Sequence, residues 1–113
     1  MSREKAVEIF TATPKTHNCA QSVAAGFGRA SLVEELRLCG GGRAPEGVCG
    51  ALHAALRMVP EKERDEVVKQ FTAQAGSPYC RVLKQELNFP CAECVRLGAA
   101  LTEEYAGNLE KTN

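Results

Sequence analysis

Apolar positions along the chain recur at three- and four-residue intervals, and period-two alternation is nearly absent. Runs rich in Ala, Leu, Glu and Lys, punctuated by Gly and Pro, therefore predict helices throughout. Ser2 to Phe10 reads as a first helix. Thr16 is placed to cap a second, running through His17 to Gly28, with Gly26 or Gly28 near its end. The stretch Ser31-Leu-Val-Glu34 has capping-box spacing and opens a third helix to about Cys39, which glycines 40–42 end. A fourth starts at Pro45 or Glu46 and runs to Val59. Pro60 suits the first position of a fifth, closed by Gly76. Ser77 and Pro78 open a sixth to Leu87, and residues 88–90 lead into a last, from Cys91 to about Glu110. The expected fold is all-α, a compact bundle of about six to seven short helices.

The chain has 113 residues and a formal net charge of zero, with acids and bases interspersed. That length suits one domain over residues 1–113, with no repeat or low-complexity tract. The charge balance argues against nucleic acid and anionic membrane as partners, both of which select a basic face. The opening MSREKAVEIF lacks the apolar core of a signal peptide, and no apolar stretch has the length to span a bilayer. The expectation is a cytoplasmic protein.

Six cysteines change the picture: Cys19, Cys39, Cys49, Cys80, Cys91 and Cys94. In the cytosol thiols stay reduced, and dense cysteine points to metal or redox work more often than to disulfides. The plainer reading is that several are small buried hydrophobes. Position argues for the first. Cys19, Cys80 and Cys91 fall in the first turn of a predicted helix, and Cys49 in the first or second. Unpaired N–H groups and a partial positive charge at a helix start favour thiolate, the form that ligates and attacks. Each thiol also shares an apolar stripe: Cys49 with Leu52, His53 and Leu56; Cys80 with Leu83 and Leu87; Cys91 and Cys94 with Val95, Gly98, Tyr105 and Leu109; Cys19 with Val23 and Gly26. In an up-down bundle Cys19, Cys49 and Cys80 gather at one end and Cys39 joins them. Cys91 and Cys94 meet them only if the short sixth helix lies across the bundle.

Other chemistry finds less support. The Gly42–Gly47 spacing lacks the Lys-Ser/Thr of a P-loop and follows no strand, so the glycines read as a tight turn between cysteine-bearing helix ends. Cys91-Ala-Glu-Cys94 is one isolated CxxC, outside a thioredoxin-like βαβ pattern and without the second pair of a zinc ribbon. Neither common ferredoxin spacing occurs, so any ligands come from separate helices. His53, one turn after Cys49, is a weak candidate ligand, and His17 a weaker one. The run Glu61 to Glu66 reads as a solvated face, and no constellation supports a conventional enzyme.

At Asn18-Cys-Ala, at the glycine-rich turn into Cys49-Gly-Ala, and at Cys80 and Cys91, the chain resembles the C_GCAxxG_C_C family of redox-active cysteine proteins over about residues 17–105. Carried over, the family cysteines are Cys19, Cys49, Cys80 and Cys91. Ala54 stands in place of the motif's second glycine, and Cys39 and Cys94 are additional. The resemblance implies an electron-transfer protein whose iron–sulfur cluster is bound by those four thiolates, with Cys94 the first substitute, serving a redox partner protein of unknown identity. Two alternatives stay open: a cofactor-free dithiol or sulfur-transfer protein using Cys91 with Cys94 or Cys39 with Cys49, and a structural zinc or copper module. A homodimer is also left open.

Overall fold

The computed structural model describes residues 2–12, 16–39 and 44–106. Among these are six α-helices: α1 Ser2–Thr11, α2 Cys19–Gly26, α3 Ala30–Glu35, α4 Gly50–Met58, α5 Arg64–Ala75 and α6 Cys91–Tyr105. Single 3₁₀ turns at Pro45–Gly47 and Glu61–Glu63 and a π-helical turn at Val82–Glu86 complete the helical structure. The described residues contain no strand, and one isolated antiparallel bridge joins Val48 to Tyr79. The all-α bundle is as the periodicity predicts.

Several helix ends differ from the sequence reading, each for a local reason. Asn18, not Thr16, caps α2. Its Oδ1 accepts from the Gln21 amide at 2.7 Å while the Gln21 side chain accepts from the Asn18 amide at 3.0 Å, a reciprocal capping box. Thr16 Oγ1 instead pairs with His17 Nδ1 at 2.8 Å. The Ser31–Glu34 capping box does not form: α3 starts one residue earlier, Ser31 lies inside it, and Arg29 at the N-cap makes no side-chain cap. That helix also stops at Glu35, short of Cys39. The expected fourth helix is cut at its start. Glu46 adopts a left-handed φ of 62° and Val48 bridges to Tyr79, so α4 begins only at Gly50 with Cys49 as its N-cap. Pro60 precedes a 3₁₀ turn rather than opening α5, whereas Gly76, at φ 103°, closes that helix as predicted. Glycines 40–42, and the proposed extension of the last helix past residue 106, lie outside the described residues.

The helices α2, α4 and α6 pack on one another, with α1 against α2 and α6, α5 against α4 and α6, and α3 on α2. Their shared core is rich in alanine, with Ala20, Ala24, Ala51, Ala55 and Ala99 fully buried beside Leu52, Phe71 and Val95. Small side chains let helix axes come close, and at two points glycine is required. A Cβ at Gly50 would lie 2.7 Å from the Cys39 carbonyl oxygen and 2.8 Å from Cys19 Sγ. A Cβ at Gly98 would lie 2.8 Å from the Ala51 carbonyl oxygen. The start of α4 is thus clamped between α2 and the end of the α3 segment on one side and α6 on the other. The buried hydroxyls of Ser22 and Thr102 donate to the carbonyls four residues back, those of Asn18 and Gly98, both at 2.8 Å. Among the described residues no helix is long and apolar enough to cross a membrane.

Asn18 does more than cap. Its Nδ2 donates to the carbonyls of Leu36 and Arg37 at 3.2 and 3.0 Å, tying the start of α2 to the end of the α3 segment. Asn18→Ala is therefore expected to cost about 2 kcal/mol, at the top of the range for a cap because tertiary bonds are lost with it. Thr16→Ala should stay within about 0.5 kcal/mol. Urea denaturation of both variants checks the contrast, and equal effects would contradict this account of the α2 terminus.

Candidate functional site

Cys19 is the first residue of α2, Cys49 the N-cap of α4, Cys80 the residue that opens the turn leading into the π segment, and Cys91 the first residue of α6, with Cys94 one turn on. These five thiols line one cavity together with Leu83 and Lys84. The cavity encloses about 10 Å³, space for one water-sized body. Three contacts deliver the thiols there. The Gly50 approach sets the start of α4 on Cys19, and the Gly98 approach sets α4 on α6 one turn beyond Cys94. The Cys49 amide donates to the Pro78 carbonyl at 2.7 Å, which draws the segment just before Cys80 to the same end of α4.

The remaining candidates lie elsewhere. Cys39, expected to join the group, does not line the cavity. Because α3 stops at Glu35, it is the Cys39 backbone carbonyl that faces this region, against Gly50. His53 is half-buried on α4 and also outside the cavity. Burial, and then the Arg57 charge, hold its imidazole below the usual range. His17 borders a separate hollow with Ala25, Gly28, Ala30 and Val33. Leu87, expected on the Cys80 stripe, is 46% exposed. The Leu87 amide bonds five residues back, to the Val82 carbonyl at 3.0 Å, and this wide turn carries the side chain off the α-helical face. Leu109 lies outside the described residues.

Helix starts do not make all these thiols acidic, contrary to the sequence expectation. Burial pushes Cys19 up to about 12, assisted by the anionic forms of Cys49, Cys91 and Cys80, and the Ala20 amide offsets only part of this. Burial likewise raises Cys80, with Lys84 opposing. Cys94 is raised because its S–H donates to Cys49 and because it is buried. Cys49 alone moves the other way, down to about 7: the Cys94 thiol donates to its sulfur, and the Leu52 and Ala51 amides add to that against burial. Lys84 was not singled out from the sequence, although it stands four residues after Cys80, on the same helical face. Its ammonium is raised by a hydrogen bond to Cys91 and by the nearby thiolate charges.

Five sulfurs in one water-poor cavity form a donor set suited to a soft metal or an iron–sulfur cluster. Among the described residues no three His, Cys, Asp or Glu side chains already stand where they could hold one metal ion. Ligation would require the thiols that still hold protons to lose them and the group to draw in. The chain matches no protein-family model, no curated protein and no solved structure.

These shifts set a pH dependence for the reduced, metal-free protein. Unfolded thiols ionise near 9. Above that value Cys19, Cys80 and Cys94 keep protons that the unfolded chain has lost, so stability falls as pH rises. Cys49 acts in the opposite sense between about 7 and 9, where only the folded form is ionised. The urea midpoint, measured with reductant and chelator, should hold or rise from pH 7 to about 8.5 and drop above about 9. A midpoint unchanged up to pH 11 would refute the burial of these thiols.

Proposed function

We propose that this protein is an electron-transfer protein whose centre is an iron–sulfur cluster held in the thiol cavity by Cys19, Cys49, Cys80 and Cys91. One observation carries the reading: five thiols from distant parts of the chain converge on a single enclosed cavity while the sixth does not. Cysteines used merely as small hydrophobes have no reason to gather, and a simple dithiol needs only two. Bound there, the cluster would supply one-electron chemistry.

The chain's own groups suit that role. The Ala20 amide donates to the Cys19 sulfur, and the Ala51 and Leu52 amides to that of Cys49, bonds that favour thiolate and tune a bound centre. Lys84 places a cation at the rim, next to Cys91 and within reach of the charge on Cys80 and Cys19. Leu83, buried, closes the apolar wall and keeps water out. Cys94 stands in the same cavity as a fifth donor, able to replace one of the four. The partner would be another redox protein, and the net charge of zero gives no reason to invoke nucleic acid.

Anaerobic purification and reconstitution with iron and sulfide test this directly. A brown protein with stoichiometric iron and sulfide is expected, and Cys49→Ser should lose most of both while Cys39→Ser retains them. A colourless product with all thiols titratable would sink the cluster reading, and stoichiometric zinc in place of iron would make the site a structural metal module.

A further inference from the structure

The thiol cavity has walls of unequal firmness. Cys19, Cys49, Cys91 and Cys94 reach it from α2, α4 and α6, which the Gly50 and Gly98 approaches clamp together. The remaining wall is the π segment, through Cys80, Leu83 and Lys84. Among the described residues no helix packs closely along this segment. Of residues 81–88 only Leu83 is buried; Val82 is half-buried and the others are exposed. Their backbone bonds stay within the segment and its immediate flanks. The Leu83 amide donates to the Tyr79 carbonyl at 3.0 Å, the Leu87 amide to the Val82 carbonyl at 3.0 Å and the Phe89 amide to the Leu83 carbonyl at 2.8 Å. Among the described residues the polar tie to another element is that of Lys84 to Cys91. Both ends are fixed. Before the segment, Val48 bridges to Tyr79 and the Cys49 amide holds the Pro78 carbonyl. After it, Phe89 packs on the core and α6 begins. Asn88, left-handed at φ 51°, stands at the far end, where a hinge is needed. Leu87 adds an apolar hold: its Cδ1 lies so close over Gly76 that a Cβ there would meet it at 2.7 Å.

We propose that residues 81–88 form a flap over the thiol cavity, seated by Leu83 and latched by Leu87 on Gly76, which lifts without unfolding the bundle. Lifting it strands no backbone group on the other helices, because the segment's bonds end on itself and its flanks. The contacts among α2, α4 and α6 stay in place while the sulfurs behind Leu83 are uncovered. A segment seated by one buried side chain opens at a lower free energy than the core it covers. The closed cavity holds one water-sized body, and Cys49 is 3% exposed, so a larger reagent reaches that sulfur only through an opening. That the flap admits iron and sulfide rests on the cluster reading above; that it opens does not.

The test uses the reduced, metal-free full chain and the rate at which iodoacetamide labels Cys49, read in the tryptic fragment 44–57, which holds no other cysteine. At urea concentrations well below the unfolding transition the rate should be flat, because lifting a flap exposes little new surface. A rate that climbs with the global unfolding constant over the whole range overturns the flap. Leu87→Ala removes the latch without touching the cavity lining. It should raise the low-urea rate at least about threefold while the urea midpoint barely moves. Val67→Ala, buried in α5 away from the segment, should lower the midpoint and leave the low-urea rate unchanged. An unaltered rate in Leu87→Ala, or equal acceleration in both variants, overturns the proposal. Iron and sulfide should also enter Leu87→Ala faster than the parent chain, and equal rates overturn the flap as their route. If labelling responds as expected while neither protein takes up iron, the flap stands and the cluster reading fails.

Discussion

The approach of α4 to its neighbours at Gly50 and Gly98 is the constraint on which the rest of the molecule depends. At both points a single added methyl would meet a backbone carbonyl oxygen at under 3 Å, a contact that only movement of the backbone relieves. The alanine-rich core continues the same principle, bringing helix axes together without large side chains between them. With α4 fixed in this way, its N-cap has no freedom to leave the starts of α2 and α6. The clustering of thiols is therefore a property of the backbone packing, and it persists whatever the protonation of the sulfurs.

That clustering sets two electrostatic effects against each other. A helix start favours negative charge by about 0.3–1 kcal/mol, and about twice that in a partly buried geometry. Taking a thiolate out of water next to other thiols costs more, and burial prevails at Cys19 and Cys80. Cys49 escapes because a neighbouring S–H, not water, solvates its anion. Lys84, lining the cavity beside the thiols, supplies the site's cation. A positive ion among the sulfurs would invert this balance, since each thiolate would then be stabilised rather than repelled.

Much of this was legible in the sequence, and the remainder fails for identifiable reasons. The all-α class follows from the three-to-four residue period, and helical starts near Cys19, Cys80 and Cys91 follow from Thr, Ser and Pro punctuation, whereas α4 starts four or five residues past the expected Pro45 or Glu46. Thr16 offers the same capping chemistry two residues before Asn18, and the choice of Asn18 rests on the carbonyls of Leu36 and Arg37, which are distant in sequence. Cys39 lies outside the cavity because α3 ends at Glu35, shorter than the Ser31–Glu34 pattern implies. The convergence of Cys94 and Cys49 on one cavity depends on the Gly98 approach of α6 to α4, and no local pattern encodes it. The expectation of acidic thiols treated each helix start alone, whereas their mutual burial appears only once the chain is folded.

The π turn at Val82–Glu86 has a meaning beyond the exposure of Leu87. A π turn holds one residue more than the α-helical turn it replaces. The chain between Cys80 and Cys91 thus carries slack: its ladder skips to a five-residue bond at Leu87 and is closed by the Phe89 amide on the Leu83 carbonyl at 2.8 Å, with Asn88 left-handed between them. A sequence shorter by one residue here could wind as ordinary α-helix and still deliver Cys80 and Cys91 to their places. By contrast, the clamped residues at Gly50 and Gly98 leave no such room. Length variation during evolution should therefore be tolerated in this segment and purged around the two glycines.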